Sequence, residues 1–182
     1  MRCFVGILLP KEIKDELYSV QNQFPSKLAK IKWISKSQLH LTLKFLGKIK
    51  QEDINKLKDK LSTIKFKPFK VKLSELGVFP NLSNPKIIWV SLLPGKKVIE
   101  LQQKVDGELL NIFKFDQSFK SHLTLGRIKM IKKKKEFMSK FSSISVDNKS
   151  FEISSFSLIK STLNKDGPVY EVLEDFEMKD NL

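Results

Sequence analysis

The chain has 182 residues, 41% of them hydrophobic with 14 Phe, and a formal net charge of +14. This length suits one domain or one compact unit of two lobes, and the apolar content suffices for a packed core, which excludes wholesale disorder. The single cysteine, Cys3, excludes an internal disulfide and a cysteine-based zinc site, and two histidines alone would make a poor one.

Residues 3–9 are apolar, and Pro10 leads at once into Lys11-Glu12-Ile13-Lys14-Asp15-Glu16. No small-residue cleavage site comes after them, so the run reads as a buried strand over 2–9 rather than a signal peptide. A helix over 11–24 is next, with Ile13, Leu17 and Val20 at helical spacing. A strand covers 38–47. Gly47 marks a turn, and Gln51-Glu52-Asp53 gives an acidic start to a helix over 51–64. Strands cover 69–79 and 86–93, with the Pro- and Asn-rich 78–85 segment as a loop between them. A helix over 95–113 places Val98, Leu101, Val105 and Leu109 on one face. A strand over 121–129, a short helix near 132–141, and strands near 150–160 and 168–177 complete an α+β pattern. No segment approaches the roughly 20 apolar residues of a membrane span. A cytoplasmic monomer without a membrane partner is therefore the expected state.

Parts of this order repeat. Phe4-Val5-Gly6-Ile7-Leu8-Leu9-Pro10 is similar to Ile88-Trp89-Val90-Ser91-Leu92-Leu93-Pro94, and each leads into a polar helical stretch. His40-Leu41-Thr42-Leu43 then matches His122-Leu123-Thr124-Leu125. The Leu-Leu-Pro offset is 84 residues and the histidine offset 82, which points to a duplication of approximate halves 1–84 and 85–182 within one domain, 1–182.

Those tetrapeptides hold both histidines of the chain and two of its four threonines. Random placement would put a threonine two residues after both histidines in only about 1 case in 2,000, although short motifs carry false positives. In a strand, residues i and i+2 face the same way. His40 with Thr42, and His122 with Thr124, thus point to one side while the leucines point to the core. A pseudo-twofold relation between the halves would bring two imidazoles and two hydroxyls together across a cleft. Imidazole titrates near neutrality, so one can act as base and the other as acid. Hydroxyls can hold non-bridging phosphate oxygens, and phosphoryl transfer rests chiefly on placement and charge stabilisation, so a metal ion is not required. Arg127, three residues after Thr124, is a candidate phosphate clamp.

With these residues in place, the chain resembles the 2H phosphoesterase superfamily, and most closely its RNA 2′,3′-cyclic phosphodiesterases, also called 2′-5′ RNA ligases (the LigT group). The resemblance runs from Arg2 to Pro10, through Trp33, His40 to Gly47, Gly77-Val78-Phe79-Pro80 and His122 to Arg127, to Ser161-Thr162-Leu163 and Gly167-Pro168-Val169-Tyr170. Gly126 is a departure, since alanine is more usual there. The resemblance implies a bilobal α+β fold, with two pseudo-symmetric lobes that each hold an antiparallel sheet and helices around a central cleft. It implies no metal or other cofactor. It implies hydrolysis of an RNA-terminal 2′,3′-cyclic phosphate, tRNA halves being one such RNA, to a 2′-phosphomonoester, with reversible 2′-5′ ligation where a 5′-hydroxyl replaces water. His122 is then the proton acceptor, His40 the proton donor, and Thr42, Thr124 and Arg127 hold the phosphate.

Two questions stay open at this level. Phe4, Phe79 and Tyr170 either stack on a terminal base or pack the interior, while Trp33 and Trp89 are expected in the core. The charge of +14 favours RNA, yet only Arg2 and Arg127 are not lysine, and lysine enrichment also arises from genome composition or high growth temperature. Lys132 to Lys135 reads as a solvated helix start. The alternatives are a phosphoesterase acting on a small cyclic nucleotide or ADP-ribose cyclic phosphate, and a non-catalytic RNA-binding module.

Overall fold

A computed structural model of the chain describes residues 1–114, 118–165 and 167–179. Among these residues the strands are β1 (Arg2–Leu8), β2 (Ala29–Trp33), β3 (His40–Lys48), β4 (Phe69–Phe79), β5 (Ile87–Leu93), β6 (His122–Ile131), β7 (Ser150–Ile153), β8 (Ser155–Asn164) and β9 (Gly167–Glu177). The helices are α1 (Lys11–Asn22), α2 (Ile54–Ser62), α3 (Gly95–Glu108) and α4 (Lys134–Ser143). The strands form two antiparallel sheets, ordered β3-β1-β8-β9 and β2-β6-β5-β4-β7. The fold is α+β. No described helix is long and apolar enough to cross a membrane.

The two sheet orders correspond. β3-β1-β8-β9 in one is matched by β6-β5-β4-β7 in the other, and β2 adds an edge strand beyond β6. Neither sheet comes from one half of the sequence. β4 pairs with β5, while β8 pairs with β1, so a late strand of each half completes the other half's sheet. β1 is buried from Cys3 to Ile7, which fits an unbroken apolar run in a strand covered on both faces.

The helices lock the lobes together. Gln21 of α1 donates through Nε2 to the carbonyls of Ile34 and Leu125, both at 2.9 Å, and so reaches β6 in the second sheet. In return α3 packs on β3 in the first sheet. There Lys44 Nζ donates to the Asp106 carboxylate and, at 2.8 Å, to the Lys114 carbonyl, while Gln102 Nε2 donates to Asp106 Oδ2 at 2.6 Å. Lys44 and Asp106 are both buried, and the surrounding apolar residues form one continuous core across the lobes.

The elements expected from sequence differ from those observed in several places. No element is expected over 29–33, where β2 forms. One strand is expected over 150–160, whereas β7 pairs with β4 and β8 pairs with β1 in different sheets, the chain passing between them at Ser154. The expected helices also run too far: α3 ends at Glu108, and residues 51–53 form a 3-10 turn before α2. Gly47 lies within β3 with φ at +74°, a conformation that glycine adopts without steric cost. Gly126, the departure from the expected alanine, pairs with Trp33 on β2, and an added Cβ would lie 2.6 Å from the indole. The glycine is the space that this tryptophan fills.

Candidate active site

The motif strands alternate as expected at first. Leu41, Leu43, Leu123 and Leu125 are buried, while His40, Thr42, His122 and Thr124 are half-buried on the other face. Both strands then bulge at the second leucine. Val5 pairs with Lys44 and Gly6 with Thr42, leaving Leu43 extra; Ile88 pairs with Gly126 and Trp89 with Thr124, leaving Leu125 extra. A bulge shifts the alternation by one residue and redirects the side chains beyond it. Lys44 and Gly126 therefore turn inward, and Phe45 and Arg127 turn outward to the histidine face. β3 and β6, from different sheets, pack against each other.

The imidazoles are held alike. His40 Nδ1 lies 2.7 Å from the Gln38 carbonyl, and His122 Nδ1 lies 2.7 Å from the Lys120 carbonyl. A carbonyl only accepts, so each Nδ1 carries the proton and each neutral ring keeps its lone pair on Nε2. In His40 that lone pair accepts from the Thr42 hydroxyl at 2.8 Å. In His122, Nε2 has no protein hydrogen bond among the described residues. Gln38 also donates through Nε2 to the Pro168 carbonyl, tying the His40 support to the start of β9.

Aromatic rings flank each histidine. Phe4 and Tyr170 lie 4.7 and 5.2 Å from His40, centroid to centroid, and Phe79 and Trp89 lie 5.0 and 6.3 Å from His122. Phe4 is only 3% exposed, so its ring supports the imidazole and Tyr170 and offers no open face to a base. Phe79 and Tyr170 are half-buried, and Lys120 Nζ sits 5.5 Å from the Phe79 centroid. Trp33 packs against Phe24 beside the core, as expected, but Trp89 does not join the core. Trp89 pairs across from Thr124 and lies over Gly77, where an added Cβ would be 2.3 Å from its ring. Its pairing with the motif strand, not its apolar neighbours in sequence, decides its place. Burial raises the Tyr170 phenol above its ordinary value, while the nearby Arg127 guanidinium, from the opposite sheet, pulls it down. A recess of about 730 Å³, lined by Lys58, Phe66, Glu174 and Phe176 among others, lies between α2 and β9 and contains neither histidine.

Burial lowers both imidazoles below their ordinary value. Each bond to a backbone carbonyl opposes this, and nearby Lys14 (for His40) and Lys120 (for His122) add to it. In the free protein near neutral pH both rings are therefore mostly uncharged. A site that needs one ring protonated and one neutral gains competent molecules as pH falls, until both rings are protonated. The expected kcat/KM profile rises as pH falls through neutrality and declines in acid, as for a coupled acid–base pair whose members both titrate below the ordinary imidazole value. The kcat profile extends further towards alkaline pH, because a bound phosphate anion favours the imidazolium. A kcat/KM that rises steadily up to pH 8 contradicts this placement.

Known proteins share this sequence and fold. A model of the family described as LigT like Phosphoesterase matches residues 7–89 and 93–170. The chain is 37% identical to the RNA 2′,3′-cyclic phosphodiesterase of Methanocaldococcus jannaschii, over 97% of this chain and 100% of that protein. It is 31% identical to the RNA 2′,3′-cyclic phosphodiesterase of Archaeoglobus fulgidus, again over 97% and 100%. The crystal structure of the protein TT0787 of Thermus thermophilus superposes with a TM-score of 0.81 at 26% identity, covering all of both chains.

Proposed function

Because the chain belongs to the LigT-like phosphoesterases, we propose that it hydrolyses the 2′,3′-cyclic phosphate at an RNA end to a 2′-phosphomonoester, without a metal ion. The observation that carries this reading is the matched mounting of the two imidazoles, each with Nδ1–H tied back to a carbonyl and Nε2 left for chemistry.

In this reading His122 is the base. Its Nε2 lone pair accepts a proton from water as the water oxygen bonds to phosphorus. His40, protonated by the pull of the bound anion, is the acid. As the P–O3′ bond breaks, its Nε2–H passes to O3′ and leaves a 3′-hydroxyl. Protonation of His40 also converts Nε2 from acceptor to donor, which frees the Thr42 hydroxyl to turn to a non-bridging oxygen. Thr124 does the same from β6, and Arg127 balances the charge that builds on the phosphoryl group. A 5′-hydroxyl in place of water gives a 2′-5′ bond by the same proton transfers.

The test is product analysis after incubating the protein, in excess EDTA, with a short RNA ending in a 2′,3′-cyclic phosphate; tRNA halves with that end are a second substrate. A 2′-phosphate end is the expected product. An unchanged end, or a 3′-phosphate, from folded protein overturns the proposal.

A further inference from the structure

The two sheets differ at one place: β2 has no counterpart in the first sheet. This strand reads Ala29-Lys30-Ile31-Lys32-Trp33, with Lys30 and Lys32 exposed on one face. The pairings show which face. Trp89 pairs with Thr124, and Ile87, two residues earlier on β5, shares its side. Ile87 pairs with Arg127, and Arg127 pairs with Lys32. Thr124, Arg127, Lys32 and Lys30 therefore lie on one sheet face, running from the histidine outward to the free edge.

No carboxylate answers these cations. Neither Lys30, Lys32 nor Arg127 has an ion pair among the described residues, whereas many lysines elsewhere pair with Asp or Glu. The sequence around them is free of acid: Leu17 to Gln51 and Gln117 to Ser121, continuing through β6 to Lys135, contain no Asp or Glu. On this sheet the acids, Glu75 and Glu152, stand on β4 and β7, away from β2 and β6, while β9 of the other sheet carries Glu171, Glu174, Asp175 and Glu177. A uniform lysine bias does not produce that division. Residues two apart on a strand are separated by roughly 6.5–7 Å, a repeat that suits successive phosphates of an extended single strand better than one small anion.

We propose that Lys30 and Lys32 form a phosphate track that takes the RNA chain 5′ of the cyclic end, with Arg127 as its junction to the reacting phosphate. This rests on the hydrolysis proposed above and adds to it. The lysines are specificity residues for oligonucleotides over mononucleotides, and they do not touch the reacting atoms.

The test compares a cyclic-ended oligonucleotide with a 2′,3′-cyclic mononucleotide, using wild type, Lys30→Gln/Lys32→Gln, and a charge-matched control, Lys56→Gln/Lys67→Gln. In the first variant kcat/KM for the oligonucleotide falls about tenfold at low salt, and the slope of log kcat/KM against log salt flattens by about 1.4 for two lost single-strand phosphate contacts. Mononucleotide turnover stays within about twofold of wild type, and the control matches wild type on both substrates, as expected when only backbone contacts are removed. Equal loss on both substrates, no loss on the oligonucleotide, or the same loss in the control overturns the track. Failure of wild type on both substrates overturns the hydrolysis reading instead.

Discussion

Replacing either histidine with alanine lowers kcat/KM on a cyclic-phosphate RNA end by about 10²–10⁴-fold, the range expected for loss of a positioned acid or base. Both side chains are half-buried and outside the apolar core, so the variants stay folded. The double variant loses little more than either single one, because acid and base act in one transition state and their losses do not add. The roles separate with a change of leaving group. An aryl phosphodiester expels a stable phenolate and needs no proton, so it restores much of the turnover of His40→Ala. It does not rescue His122→Ala, which lacks the base for water. Rescue of His122→Ala instead reverses the assignment, and full activity of either variant on RNA removes that histidine from the mechanism.

The second large effect lies away from the chemistry. Asp106→Ala leaves the Lys44 ammonium buried without its carboxylate, with one bond remaining to the Lys114 carbonyl. Removing one partner of a buried pair costs about 3–5 kcal/mol, since the other charge is left in a poor solvent. The urea midpoint of unfolding falls accordingly. The paired change Lys44→Met/Asp106→Leu recovers a good part of that loss, because two buried charges are then replaced by apolar groups of similar size. If Asp106→Ala unfolds at the wild-type midpoint, the pair does not join β3 to α3 as described.

The fold class and the repeated motif were legible in the sequence; the strand register around the motif was not. Four motif residues stand out because His-Leu-Thr-Leu occurs twice in a chain with only two histidines. Strict alternation gives the direction of His40, Thr42, His122 and Thr124. The same rule misplaces Arg127, which stands three residues after Thr124 and would point away from it. The bulge at Leu125 turns it back, and Gly126, an isolated glycine within a strand, is the one local sign of it. Its counterpart at Leu43 puts Phe45, 74% exposed, at the matching place on the other sheet.

β2 escaped notice although Ala29 to Trp33 alternates apolar and charged residues. Five residues are too short a window for periodicity to decide, and the strand is held by its pairing with β6, a contact about 100 residues away in sequence. The split of 150–160 has the same origin: local propensity favours strand throughout, while the partners β4 and β1 belong to different sheets. Trp89 misled for a related reason. An apolar strand suggests a core residue, but its face is fixed by Thr124 across the ladder. The lysine excess gains a spatial meaning only from the pairing of the acid-free segments as neighbouring strands, which local sequence does not reveal.

The most direct test of the two-histidine site is an NMR titration of the imidazole nitrogens. The chain has only two histidines, so the ¹⁵N spectrum holds two ring systems that single variants assign. Without ligand, both rings should show protonated Nδ1, unprotonated Nε2 and pKa values below the ordinary one. Adding a nucleoside 2′-phosphate should shift both Nε2 signals and raise both pKa values in parallel, with one dissociation constant. If only one ring responds, or the two respond with different affinities, the imidazoles do not share one phosphate.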